Sequence, residues 1–324
     1  MLSNGMIKKF VKDCGLPIHV FEPRAFEYFL KLYEPLFSSN TLYKQYCETV
    51  DRLGGEENYS NHTKALMECM ITDISQTIGY QRLAILKEPP VKYNVINQIN
   101  KKNIYHSGFD GKTLISIDLK KANFNALKQY DSSIVLDSDT YEDLIYRYTS
   151  HEYITQSKQI RPVIFGNLLP SKQASIQKTM MHMIADNILT EYPYFELSMA
   201  GTDEIVVVGY DDLSPIEAYK RVMDCIPPYS LEFIKVEVFT LEQVHKEKPY
   251  FVKKPWVLGK SYDLDISDDA IITMEGYDTP VFKNIPSMFF AQVFKNYFGM
   301  ELRKEDLMFY YEGCLAHFDK GIYK

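Results

Sequence analysis

The sequence predicts an α+β fold in which a mostly antiparallel sheet is backed by helices and preceded by a helical N-terminal region. Two observations carry this expectation. Apolar residues recur at three- and four-residue steps through residues 23–87, the period of one helix face, whereas from Thr113 the period drops to two. From there the order reads strand, helices, strand, turn, strand, helix, strand, the succession expected of an antiparallel sheet with helices packed against it.

The helical region rests on FEYFLKLYEPLF and NHTKALMECMITDISQTIGYQRLAIL. Glu88-Pro89-Pro90 ends it, and a polar connection, NVINQINKKNIYHSGFDGK, follows with a turn signal at Asp110-Gly111. Thr113–Leu119, TLISIDL, reads as a strand that ends at an acid. Segment 140–160 reads as helical. After Pro170, SKQASIQKTMMHMIADNILTEY places Ile176, Met180, Ile184 and Ile188 on one helix face, with Met180, Met181 and Met183 as core packing. Strands follow at Phe195–Met199 and Ile205–Val208, a helix from Pro215, and an alternating strand from Leu231 to Leu241. Residues 246–324 mix short strands with a helical piece, PSMFFAQVFKNYFG.

Composition bounds the function classes. With 324 residues, 46% of them hydrophobic, the chain can bury a large core and is expected to form two or three units. An aromatic content of 14% argues against disorder. A net charge of −7 excludes a small basic DNA-coating protein but not an enzyme acting on nucleic acid, because local patches matter more than the sum. The charge is uneven: residues 81–130 carry nine Lys/Arg against three acids. Residues 246–260 add Lys246, Lys248, Lys253, Lys254 and Lys260 against Glu247 alone. Five cysteines without C-x-x-C spacing point away from a zinc site or disulfide framework and towards a reducing cytosol. No apolar run approaches membrane-spanning length, so a soluble intracellular protein with no membrane partner is expected.

Three local features line up in order. Asp118 is the only acid in SIDLKKANFNAL; SKQIRPVIFGNLLP carries Lys158, Arg161, Phe165 and Gly166; and GTDEI sets Asp203 beside Glu204 where a Gly-Thr turn runs into an apolar strand. Acid at a strand end, a basic-aromatic helix, then acids at a strand turn is the order of the nucleotidyl-transfer site of palm-domain polymerases. The chemistry needs it. Joining a nucleotide to a 3′-hydroxyl is an in-line displacement at phosphorus, assisted by two divalent ions roughly 3.5–4 Å apart. Mg²⁺ keeps waters and needs only a couple of carboxylates, so acids from neighbouring strand ends suffice.

GTDEIVVVGYDD resembles motif C of family A DNA polymerases, and AYKRVMDCIPPYSLEFIKVEVF resembles the helix and final strand that follow it there. LISIDLKKANFNAL looks like motif A, in wording also close to reverse transcriptases, and SKQIRPVIFGNLLP is a looser match to the nucleotide-binding helix. The resemblance covers about residues 111–242. It implies that Asp118 and Asp203 bind two Mg²⁺ (or Mn²⁺) ions, with Glu204 assisting near the primer end. Lys158 and Arg161 would meet the triphosphate and Phe165 the base or template. Asn123 stands five residues after Asp118, where such enzymes sense the sugar 2′-position; it is neither the Tyr/Phe of reverse transcriptases nor the Glu of family A.

Only about 85 residues separate Asp118 from Asp203, so the fingers must be minimal. The expected organisation is a helical region at 1–110, a palm at 111–245 with short fingers inserted at about 135–190, and a thumb-like region at 246–324. In the last, Lys253, Lys254, Lys260 and Tyr262 suit backbone grip with stacking. The expected protein is a compact DNA polymerase without exonuclease, acting on template-primer and nucleoside triphosphates, with room for an accessory replication protein. An RNA-synthesising or RNA-copying enzyme, a non-catalytic palm scaffold and a nucleotide cyclase-like palm remain open. Adjacent strand residues point to opposite faces. Only one of Asp203 and Glu204 can then serve a metal from regular strand, and Asp203 is the expected one.

Overall fold

A computed structural model describes residues 2–86, 103–209, 213–262 and 270–323, with the backbone alone for 260–262, 270 and 271. In chain order the N-terminal helices are α1 (Asn4–Cys14), α2 (Pro23–Leu32), α3 (Glu34–Phe37), α4 (Ser39–Arg52), α5 (Glu56–Gln76) and α6 (Ile78–Ile85). Next come β1 (Thr113–Leu119), α7 (Ala122–Tyr130), α8 (Tyr141–Tyr146), α9 (Glu152–Thr155), α10 (Ile160–Gly166) and α11 (Pro170–Glu191). Then follow β2 (Glu196–Ala200), β3 (Glu204–Val208), α12 (Pro215–Asp224), β4 (Ile234–Gln243), β5 (Phe251–Tyr262), β6 (Ala270–Tyr277) and β7 (Val281–Lys283). The chain closes with α13 (Ser287–Tyr297), β8 (Met308–Tyr311) and β9 (Cys314–His317). The fold is α+β.

Two compact units share these elements: residues 1–77, 136–168 and 285–324 form one, and 78–135 with 169–284 the other. The first is helical apart from the β8–β9 hairpin. Its core is aromatic: Tyr46 lies 5.4 Å from Phe10 and 5.3 Å from Tyr59, and Tyr33 lies 5.3 Å from Phe290. Segment 140–160, expected to be helical, holds α8 and α9, with the turn at Arg147–His151 between them.

The second unit holds an antiparallel sheet in the order β2-β3-β1-β4-β5-β6, with β7 also paired to β5. Alternation decides its faces. Ile115, Ile117, Ile205, Val207, Ile234 and Val238 pack on Met181, Ile184 and Ile188 of α11 and on Ala218 and Val222 of α12. Each such side chain contributes roughly 1.5–3 kcal/mol by leaving water. The opposite face has a smaller cluster of Leu114, Val206, Phe239, Leu241 and Phe251 with Ile104. Pro170 and Pro215 open α11 and α12, where a missing N–H costs nothing, and the Ser214 side chain caps the latter at Glu217 N.

Two expected boundaries fall elsewhere. β4 starts at Ile234 rather than Leu231, because Pro228–Ser230 forms a 3₁₀ turn and Phe233 N still donates to Ser230 O. The boundary expected at 245/246 lies between β4 and β5, which pair directly, so β5, β6 and β7 continue the sheet and 285–324 belong with the helical unit. The expected fingers segment likewise divides between the units at Leu168 and Leu169. Among the described residues no helix is long and apolar enough to cross a membrane.

Candidate active site on the sheet

The site begins with register. β1 faces β3 with Asp118 opposite Glu204 and Ser116 opposite Val206, and faces β4 with Asp118 opposite Lys235 and Ser116 opposite Glu237. Residues opposite one another in an antiparallel pair share a face. Glu204, Asp118 and Lys235 therefore form one row, and Ser116 and Glu237 stand in the next. This face is the one turned away from α11 and α12.

Asp203 sits in the turn before β3 and is exposed; its carbonyl accepts from Leu119 N at 2.8 Å, pinning the turn to the end of β1. Gly201 N closes the same turn on Glu204 O at 2.7 Å. Glu204 accepts a 2.5 Å hydrogen bond from the buried Ser116 hydroxyl. The Asp118 carboxyl is half-buried and its pKa is pushed up to about 6, by burial first and then by the charges of Glu204 and Asp203, with Lys253 and Lys235 opposing. Asp118 makes no hydrogen bond or ion pair through its side chain among the described residues. Lys120, its sequence neighbour, donates instead to Glu232 O at 3.0 Å.

Several members of this site escaped the sequence reading. Glu237 is bridged by Lys235 at 2.7 Å and by Lys253 at 2.5 Å. Burial, then Glu204 and Glu237, raise the Tyr105 hydroxyl to about 12, which places that ring beside the acids. Lys283 of β7 completes the set. The available signal was the pair of charged residues at alternate positions in IKVEV, which marks one polar face of an apolar strand.

The remaining predicted residues are placed as follows. Asn123 accepts from Gln177 of α11 at 2.6 Å. Lys158, Arg161 and Phe165 belong to the helical unit. Lys158 is exposed and lines a cavity of about 380 Å³ with Asp13, Cys14 and Tyr153. Arg161 lies 5.8 Å over the Tyr141 ring. Phe165 is 0% exposed and packs near Tyr141, so it is a core ring with no face open to a base. Its apolar neighbours Ile160 and Ile164 on α10 turn that face inward. Lys253 is recessed over Phe239, and Lys254 pairs with Glu242 at 3.4 Å beside Tyr277. The side chains of Lys260 and Tyr262 lie outside the described residues.

Among the described residues, no group of three or more His, Cys, Asp or Glu side chains is placed to hold a metal ion. The donors nevertheless fit a hard cation that keeps waters: oxygen ligands only, at two adjacent strand ends, with Asp118 held against its own ionisation by burial and then by like charges. Comparisons with protein-family models, curated proteins and solved structures found no match.

Proposed function

We propose that the sheet unit is a polymerase-type palm and that the protein is a nucleotidyltransferase, a compact DNA polymerase working on template-primer and nucleoside triphosphates in DNA replication. The observation that supports this most is the meeting of Asp118 and Glu204 at the adjoining ends of β1 and β3, on the face away from the helices, with Asp203 in the turn beside them. Structural ion pairs bring opposite charges together; here Asp118 stands opposite Glu204, and its side chain makes no ion pair among the described residues.

Asp118 with Asp203 or Glu204 would hold two Mg²⁺ (or Mn²⁺) ions, which when bound lower the pKa of the 3′-hydroxyl and offset the charge of the departing pyrophosphate. The chain's own residues prepare the place. Ser116 fixes one oxygen of Glu204, and the other has no hydrogen-bond partner among the described residues. Lys235 and Lys253 neutralise Glu237, so the charge excess is concentrated on the other three acids. Asn123, oriented by Gln177, is the group proposed to sense the sugar 2′-position.

Primer extension on DNA and RNA templates, with dNTPs or NTPs and Mg²⁺, tests the reading. D118A is expected to abolish synthesis while duplex binding persists. Undiminished synthesis by D118A would sink it.

A further inference from the structure

The face that carries the acids also carries cations from strands far along the chain. β4 sets Leu241 opposite Lys253 of β5, and β5 sets Phe251 opposite Lys283 of β7. By the alternation that groups Asp118 with Glu204, Lys253 and Lys283 lie on the acids' face. Lys253 stretches over the Phe239 ring, its Nζ 4.2 Å from the centroid, to end against Glu237 with 12% of its side chain exposed. Lys283 is half-buried, and its Nζ has no hydrogen-bond or ion-pair partner among the described residues. Burial first, and then the charge of Lys253, lower its pKa, with Glu204, Glu237 and Asp118 opposing.

An ammonium drawn from water without a partner is costly, and a second ammonium nearby adds to the cost. An arriving polyanion removes both penalties. Lysines that grip a nucleic-acid backbone stand exposed along a groove. These two are recessed beside carboxylates, a position suited to a small, highly charged ligand. Lys235, 2.7 Å from Glu237, keeps that acid compensated when Lys253 turns away from it.

We infer that Lys253 and Lys283 bind the phosphates of the incoming nucleoside triphosphate, with Glu237 holding Lys253 in place beforehand. The inference rests on the nucleotidyl-transfer reading of the same site. It moves the phosphate-binding role from Lys158 and Arg161 of the helical unit to the sheet itself.

The test is equilibrium binding of a fluorescent nucleoside triphosphate and of inorganic pyrophosphate, with Ca²⁺ in place of Mg²⁺, beside primer-template affinity against salt. K253M and K283M are each expected to weaken both phosphate probes roughly tenfold, the worth of a charge-assisted contact, while duplex affinity and its salt slope stay unchanged. K253R should retain binding that K253M loses. Lys283 lies on a short outer strand, so K283M decides the matter if K253M does not fold. Wild-type phosphate binding by K283M, or a loss confined to the duplex, overturns the inference. The parent reading fails separately: if the wild type synthesises on no template but K283M loses pyrophosphate, the phosphate site stands and nucleotidyl transfer falls.

Discussion

Asp118 and Glu204 are register partners across β1 and β3, two carboxylates on one face of adjacent strands. Like charges directly opposite destabilise a sheet, and nothing in packing requires them there. The cost is visible on Asp118, whose carboxyl is pushed up to about 6 by burial and then by Glu204 and Asp203.

That shift makes stability depend on pH. A folded-state carboxyl pKa above the unfolded value means the native state holds its proton more tightly. The contribution is therefore fully present below about 3.8 and is lost as pH rises to about 6. Discounted for the partial exposure of Asp118, it amounts to about 1–2 kcal/mol. In urea denaturation without divalent ions, D118N should match the wild type near pH 4 and exceed it by that margin at pH 7.5. A difference that stays flat across this range contradicts the account.

Divalent ions should act in the opposite direction. Mg²⁺ that binds the native acids stabilises by mass action, about 2.7 kcal/mol at a hundredfold excess over its dissociation constant. Melting temperature at pH 7.5 is expected to rise with Mg²⁺ in the wild type and stay level in D118N. An equal rise in both proteins would place the ion elsewhere.

Ser116 and Glu204 offer a subtler change. The Ser116 hydroxyl is buried and its 2.5 Å bond fixes the Glu204 carboxylate. S116A should cost about 1 kcal/mol of stability, raise the Mg²⁺ concentration needed for half-maximal synthesis, and keep measurable turnover. E204A should lose far more activity than S116A. If E204A synthesises normally while D203A does not, the turn residue carries the metal and Glu204 is a bystander.

The elements that could be read in advance are those whose pattern is local. β1 runs over Thr113–Leu119 as its alternation indicates, and α11 begins where Pro170 places it. Asp118 and the GTDEI turn adjoin because two short strands pair, a modest step from sequence. Glu237, Lys253 and Lys283 reach the same face only through the registers of β4, β5 and β7, which no local pattern in the chain announces. Phe165 misled for a related reason. An aromatic at helical spacing looks alike whether it stacks on a ligand or fills a core, and burial alone separates the two.

In the helical unit, Lys295 and Asp306 make a buried ion pair at 2.7 Å, with side-chain exposures of 2% and 0%. Tyr28 donates to the other oxygen of Asp306 at 2.7 Å, and Lys295 also reaches Glu301 O. Removing one partner strands a charge away from water, which costs about 3–5 kcal/mol. K295M should lower the urea midpoint accordingly, and D306N less, because Asn still accepts from Tyr28. A K295M protein as stable as the wild type would show that water reaches Asp306.

The turn that presents the acids hinges on Gly201. Its N–H donates to Glu204 O at 2.7 Å, and a Cβ added there would lie 3.0 Å from that same oxygen. Backbone cannot swing aside as a side-chain tip can, so a larger residue must open the turn and move Asp203 and Glu204 away from Asp118. G201A should reduce synthesis modestly, and G201V should reduce it severely while costing about 1–3 kcal/mol of stability through overpacking. The half-maximal Mg²⁺ concentration separates a displaced site from general unfolding: it should rise in G201A at temperatures where far-UV circular dichroism is unchanged. A G201V protein that keeps both its rate and its Mg²⁺ dependence would mean that the spacing between β1 and this turn does not govern the chemistry.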